Sequence, residues 1–237
     1  MNIPISDRLL ACAEFVNPGD RVADVGCDHG YLGIYLLERN IARSVIASDL
    51  RKGPLQSAKD NAALYGTEDR MEFILSDGLR SVPHDFDTLV CAGMGAETMI
   101  SILEAAPWLK QLGARLILQC QIKTYLLRCW LSENCYRIRE EKVLRDGKFL
   151  YTVLEAVYDP SVPRLHPGQW YIPPVMTEAP DQDFPEYFFW IWGELHKIVS
   201  SRGDNAPEWM QKADRELEEL SHAEILKEYK EAHDERI

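Results

Sequence analysis

Up to Tyr158, short apolar runs alternate with segments whose apolar residues recur at helical spacing, and this alternation sets the expected architecture. Val22–Val25, Ser44–Asp49, Met71–Leu75, Phe86–Cys91 and Ala114–Gln121 read as buried strands. Residues 5–16, the run from Tyr31 through Leu37, Pro54–Tyr65, the stretch through Leu103 and Lys123–Glu133 read as helices. The punctuation agrees. Ser6 or Asp7 can cap the first helix, Asn17-Pro18-Gly19-Asp20 is a turn, Pro54 suits a first helical turn and Gly66 a helix end. Tyr136–Leu144 and Phe149–Tyr158 are β-rich and meet around Asp146-Gly147, a hairpin signal. Strands alternating with helices predict an α/β fold with a mostly parallel, doubly wound sheet, and the hairpin completes seven strands.

Beyond Tyr158 the pattern changes. Six prolines between Asp159 and Pro180 predict an extended connector, with Trp170 and Tyr171 pinning it to the preceding domain. Phe184, Phe188, Ile191, Leu195 and Ile198 then recur at helical spacing. After a break at residues 202–206, Pro207 opens a second helix whose seam is Met210, Ala213, Leu217 and Leu220, extended by Leu226 and Tyr229. The expected division is a domain over 1–160, a connector over 161–181, and an antiparallel, coiled-coil-like helical hairpin over 182–237. Glu216, Glu218 and Glu219 are expected on its solvated face.

The stretch Val22 to Gly33, VADVGCDHGYLG, carries the first chemistry. A strand, a turn with Gly26 and Gly30, and a helix start present backbone N–H groups and the helix dipole to a ligand. The glycines at 26, 30 and 33 lack the middle of the G-x-G-x-x-G dinucleotide fingerprint, which disfavours a nicotinamide dehydrogenase. Asp28, inside the turn, would repel a pyrophosphate and attract an ammonium or sulfonium. The turn therefore suits a cationic small molecule such as S-adenosylmethionine; the alternative is that Asp28 only caps the helix. Asp49 ends the second strand, where an acidic residue accepts from ribose hydroxyls. Asp77-Gly78 follows the third strand and either holds an adenine amino group or makes an ordinary turn. Ala92-Gly93-Met94-Gly95 follows the fourth. All four signals fall at C-terminal strand ends, where such sheets bind ligands.

Composition narrows the reading. A hydrophobic content of 46% supports a sizeable core, and no stretch approaches the roughly 20 apolar residues of a membrane span. Six cysteines without a C-x-x-C pair read as reduced core residues, with no metal site. The N-terminal residues show no export pattern, so a cytoplasmic protein is expected. The net charge of −12 opposes nucleic-acid binding by the chain as a whole. It is uneven, however. Residues 161–237 hold 8 basic against 16 acidic residues, and residues 1–160 hold 18 against 22, so a local basic surface on the larger part remains open.

With these residues in hand the chain resembles the bacterial tRNA (adenine-N1)-methyltransferases that act on adenine at position twenty-two. The matching pieces, in order, are VADVGCDHGYLG, GPLQSAKDNA, SDGL, AGMGAETMISILE, RLILQ and the Trp130-Leu131 helix end, followed by the helical tail. AGMG at a fourth strand end is more family-specific than the first glycine loop, which many methyltransferases share. Ala96 stands where the family commonly has a second glycine, and Cys120 where a proline is common.

The resemblance implies a Rossmann-like class I methyltransferase using S-adenosylmethionine. It assigns Asp24, Gly26, Asp28, His29 and Gly30 to the first cofactor motif, Asp49 to the ribose and Asp77-Gly78 to the adenine side. Ala92, Gly93 and Met94 would serve the cofactor, and Gly93-Met94-Gly95 the target base. Neutral adenine N1 carries a lone pair, so catalysis is chiefly positioning and desolvation. A carboxylate stabilising the cationic product, with Asp28 as the candidate, would add to it. The partner implied is tRNA, with no membrane or metal and the oligomeric state open. Its target base must be exposed, helped by Arg8, Arg51, Lys52, Lys123, Arg128, Arg137 and Arg139, by stacking on Tyr31 or Tyr125, and by docking on the helical hairpin. Two other classes stay in play: a methyltransferase for a small molecule or protein, and a non-catalytic RNA adaptor that binds the cofactor.

Overall fold

Strands covered on both faces need side chains that are apolar in both directions, and Val22-Ala23 in β1 (Arg21–Val25) and Val45-Ile46-Ala47 in β2 (Ser44–Asp49) meet this requirement. The computed structural model describes residues 3–233. With β3 (Met71–Leu75), β4 (Thr88–Met94), β5 (Arg115–Cys120), β6 (Tyr136–Asp146) and β7 (Phe149–Tyr158), they form one seven-stranded sheet in the order β3-β2-β1-β4-β5-β7-β6. Neighbours from β3 to β5 are parallel, and β7 runs antiparallel to both β5 and β6. The order reverses between β1 and β4, so the crevice for a ligand lies beyond the C-terminal ends of those two strands.

Helices cover both faces. Leu89 and Val90 are adjacent on β4 and belong to opposite core clusters, as alternation along a strand demands. Leu89 packs with Met99 of α4 (Ala96–Glu104) and Leu127 and Leu131 of α6 (Thr124–Glu133). Val90 packs with Cys12 of α1 (Asp7–Glu14), Leu36 of α2 (Tyr31–Glu38) and Ala58 of α3 (Lys52–Tyr65). A short α5 (Leu109–Leu112) precedes β5. β2 and β3 have their expected bounds, and Gly66 closes α3 in the left-handed conformation. β4 differs: it begins at Thr88 and runs on to Met94, so Ala92-Gly93-Met94 belongs to the strand rather than following it.

The proline-rich connector is not extended throughout. It holds α7 (Pro167–Tyr171) and α8 (Pro174–Glu178), each with a proline in its first turn, where the missing N–H costs nothing. The two expected C-terminal helices are α9 (Phe184–Arg202) and α10 (Glu208–Leu220), and a third, α11 (Glu224–His233), follows them. Their apolar faces share one cluster with Val143 of β6, Leu150 of β7 and Tyr171.

Arg128 holds this assembly together and is a correction to its expected RNA-contacting role. Its side chain is 1% exposed and binds both carboxylate oxygens of Glu141, the closer at 2.6 Å. It also donates to the carbonyls of Trp170 and Tyr171 and lies 3.2 Å from the Tyr187 hydroxyl. One guanidinium thus joins α6, β6, the connector and α9. Tyr125 is likewise occupied, stacked on Tyr171 at 4.7 Å. Glu216 is not a solvated charge: it accepts from the Gly168 N–H at 2.6 Å and lies 2.7 Å from His166 Nδ1. Glu218 and Glu219 are exposed as expected.

Candidate active site

The turn after β1 needs positive φ at three alternate positions: Gly26 at 79°, Asp28 at 49° and Gly30 at 74°. A side chain on Gly26 would collide with the Met94 methyl, and one on Gly30 would come within 2.9 Å of Ala58 Cβ. Among residues with a Cβ, aspartate and asparagine tolerate the left-handed region best, which explains an aspartate at 28 before any chemistry is invoked.

The turn spends its own donors. The N–H groups of Gly26 and Cys27 go to the Ser48 carbonyl at 2.8 and 2.9 Å, that of Asp28 to Asp49 Oδ2 at 3.3 Å, and that of Gly30 to the Cys27 carbonyl at 2.8 Å. These four N–H groups are therefore taken up within the fold.

Carboxylates line a cleft of about 850 Å³ at the C-terminal strand ends, within the range of about 300–1,000 Å³ usual for small-molecule sites. Asp24, Asp28, Asp49, Asp77 and Glu97 line it, against only Arg8 and Arg51 among the described basic residues. The balance attracts a cation. Asp24 is 4% exposed, and burial, followed by the neighbouring Asp49 charge, pushes its pKa up to about 7. Asp49 is buried too. Its Oδ1 accepts from the Arg51 N–H at 2.8 Å and its Oδ2 from Asp28, and each oxygen keeps a lone pair for a hydroxyl. Asp28 and Asp77 stand at the rim with side chains 62% and 58% exposed.

The opposite wall is the end of β4. Its register on β5 slips between Ala92 and Met94, which makes Gly93 the extra residue of a bulge, with φ at 79°. Nothing lies within 4 Å of where its Cβ would be. The Gln119 side chain accepts the Gly93 N–H at 3.0 Å. Gln119, Ser76 and the α4 face of Glu97, Thr98 and Ser101 also line the cleft. The sequence reading missed them. The α4 residues share a signal, polar side chains one turn apart; a single glutamine in an apolar strand has none.

Of the expected site residues, Asp24, Gly26, Asp28, Asp49, Asp77, Gly78, Ala92, Gly93, Met94 and Arg8 come together in this lining. His29, Gly30, Tyr31, Gly95 and Lys123 sit outside it. His29 Nε2 is 3.6 Å from Asp28 Oδ2, and its carbonyl accepts from Asn61. Gly95 caps α4 against Ile122, which is 63% exposed. Lys123 Nζ lies 2.7 Å from Glu97 at the cleft mouth. Arg137 and Arg139 are at the start of β6, which runs parallel with β5, so they lie toward the sheet edge away from the cleft. Among the described residues no group of three His, Cys, Asp or Glu side chains is placed to hold a metal ion, and no helix is long and apolar enough to cross a membrane.

Residues 5–154 match the methyltransferase-domain family. The tRNA (adenine(22)-N(1))-methyltransferase of Bacillus subtilis is 33% identical over 155 residues, and that stretch covers 65% of this chain and 65% of the relative. The chain thus spans less than two thirds of this curated relative's length in the match. The crystal structure of the Bacillus subtilis m1A22 tRNA methyltransferase TrmK superposes with a TM-score of 0.75 at 27% identity, covering 96% of this chain and 99% of the other. A Streptococcus pneumoniae protein in complex with S-adenosyl-L-methionine gives a TM-score of 0.79 at 28% identity, covering 92% and 100%. The sheet order and flanking helices are accordingly those of a Rossmann-like methyltransferase fold.

Proposed function

The chain belongs to the methyltransferase-domain family, and from that premise we propose that it transfers a methyl group from S-adenosylmethionine to N1 of adenine at position twenty-two of tRNA. One observation carries the cofactor half of this reading. Buried Asp24 lies beside Asp49 in a cleft lined by five carboxylates and two arginines, an arrangement suited to a cation that also bears hydroxyls. The likeness to the Bacillus subtilis enzyme supports the tRNA half.

The residues fit the cofactor. Asp49 would take the ribose hydroxyls, Asp24 would face the positive charge, and Asp77-Gly78 would lie on the adenine side. When bound, S-adenosylmethionine supplies an electrophilic methyl on a sulfonium. Adenine N1 needs no deprotonation to attack, so the chain's work is to hold the base, exclude water and stabilise charge. The bulge at 92–94 offers the flat base a backbone edge without side chains in the way. Ile122, exposed beside Gly95, adds apolar surface. Asp28, at the rim, would stabilise the cationic methylated base.

In this reading residues 1–160 carry the chemistry, and residues 182–237, joined through 161–181, dock the tRNA. A small-molecule or protein substrate is the second reading. It is favoured by the pairing of the rim cations with carboxylates: Arg8 with Asp146 at 2.5 Å, Arg80 with Asp77 at 2.9 Å and Lys123 with Glu97 at 2.7 Å. Incubation with total tRNA and labelled cofactor, followed by nucleoside identification, decides between them. Label in 1-methyladenosine supports the proposal; label absent from RNA overturns it.

A further inference from the structure

We propose that Gln119 is a positioning residue for the target base, acting through the backbone of the β4 bulge; this rests on the adenine-methylating reading above. A bulge leaves its extra residue without a ladder partner, so the Gly93 N–H finds its acceptor in a side chain instead. Gln119, on the neighbouring strand and 0% exposed, accepts it at 3.0 Å. The same Oε1 accepts from Gln121 Nε2 at 3.2 Å, and Gln119 Nε2 donates to the Cys120 carbonyl at 3.3 Å. These contacts fix the amide in one orientation, with its oxygen toward Gly93.

The consequence reaches the cleft through peptide planarity. The Gly93 N–H and the Ala92 carbonyl belong to one rigid unit, so fixing one fixes the other. Ala92 and Gly93 both line the cleft, and the space where a Gly93 side chain would stand is open. A purine edge is read by such backbone groups only if their plane is held. Glycine at φ 79° does not hold itself, because it has the broadest conformational freedom of any residue. Gln119 removes that freedom where the base must be aligned with the methyl donor.

The test compares Gln119→Leu and Gln119→Glu with wild type in single-turnover methylation of tRNA at saturating cofactor, alongside cofactor affinity by calorimetry. Leucine keeps the volume and loses the acceptor. A carboxyl oxygen still accepts the Gly93 N–H, and in protonated form its O–H can donate to Cys120. A small misplacement of reacting groups is worth up to about 100-fold in rate, so Gln119→Leu is expected to lower the single-turnover rate at least tenfold with cofactor affinity within about threefold, and Gln119→Glu to recover most of the loss. Gln121→Met, which removes the second contact at a half-buried position, is expected to give a smaller loss in the same rate, and it carries the test if Gln119→Leu does not fold. A Gln119→Leu rate within about threefold of wild type, a loss that follows cofactor affinity, a Gln119→Glu variant no better than Gln119→Leu, or an unaffected Gln121→Met each overturns the inference. A wild-type chain that methylates no tRNA overturns the functional reading itself, and the inference with it.

Discussion

The Asp28 backbone N–H donates to Oδ2 of Asp49 at 3.3 Å, so the carboxylate expected to take the ligand's hydroxyls also ties the turn after β1 to the tip of β2. Asp49→Ala removes both functions at once. Hydrogen bonds to a charged group are worth about 1.5–3 kcal/mol each, so loss of the ribose contacts together with the tie is expected to weaken S-adenosylmethionine binding by 30-fold or more. Asp49→Asn keeps one acceptor and should fall between. Calorimetry on the folded variants measures both, and unchanged affinity in Asp49→Ala would remove the ribose assignment.

Asp24 gives the site a pH dependence with a definite sign. Its native pKa of about 7 lies above the unfolded carboxylate value of 3.8, so the native state binds more protons between those values. Its stabilising contribution is complete below the unfolded value and is lost as pH rises through about 7. Asp24→Asn should therefore raise the melting temperature of the unliganded protein at pH 7.5 and flatten its pH profile over that window. A cation in the cleft favours the ionised form. Binding of S-adenosylmethionine at pH 6 should then release a proton, detected as a dependence of calorimetric enthalpy on buffer ionisation, and Asp24→Asn should abolish it. Binding without proton release would place the charge elsewhere.

Asp28→Asn is a clean probe because asparagine shares aspartate's tolerance of the left-handed backbone, so the turn at φ 49° is kept while the charge goes. If Asp28 stabilises the cationic product, turnover on tRNA should fall by about 10- to 100-fold while cofactor affinity changes less than about threefold. Equal losses in both would make Asp28 a cofactor ligand, and wild-type turnover would leave it a turn residue.

Much of the frame was readable because its signals are local. β2 and β3 are short runs built around Val45-Ile46-Ala47 and Phe73-Ile74-Leu75, and Gly66 marks a helix end by conformation alone. The acidic residues at strand ends were readable because the topology gathers strand ends by itself. What escaped depends on partners distant in sequence. Gln119 becomes part of the site only because the β4 register slips at Gly93 and exposes an N–H to it, and AGMG reads as a loop for the same reason. Arg128 looks like any helical cation until Glu141 and the carbonyls of 170 and 171 surround it. α7 and α8 are hidden in the sequence because a proline that opens a helix in its first turn looks the same there as one that breaks it.

Arg128 also shows why cutting the chain before residue 182 is a poor test of the C-terminal helices. Removing α9 takes away Tyr187 from a fully buried guanidinium and uncovers Val143 and Leu150 on the sheet. The fold itself would suffer, and lost methylation would say nothing about docking. Point substitutions separate the effects. Breaking a buried pair by deleting one partner costs about 3–5 kcal/mol, because the other charge is left uncompensated. Arg128→Met and Glu141→Leu should each lower stability by that order in urea denaturation, and the double variant should be more stable than either single one, since it leaves no orphan charge. Were Arg128 instead an RNA contact, Arg128→Met would leave stability unchanged and weaken tRNA binding in a salt-dependent way. The two readings thus predict opposite patterns in a pair of measurements on one variant.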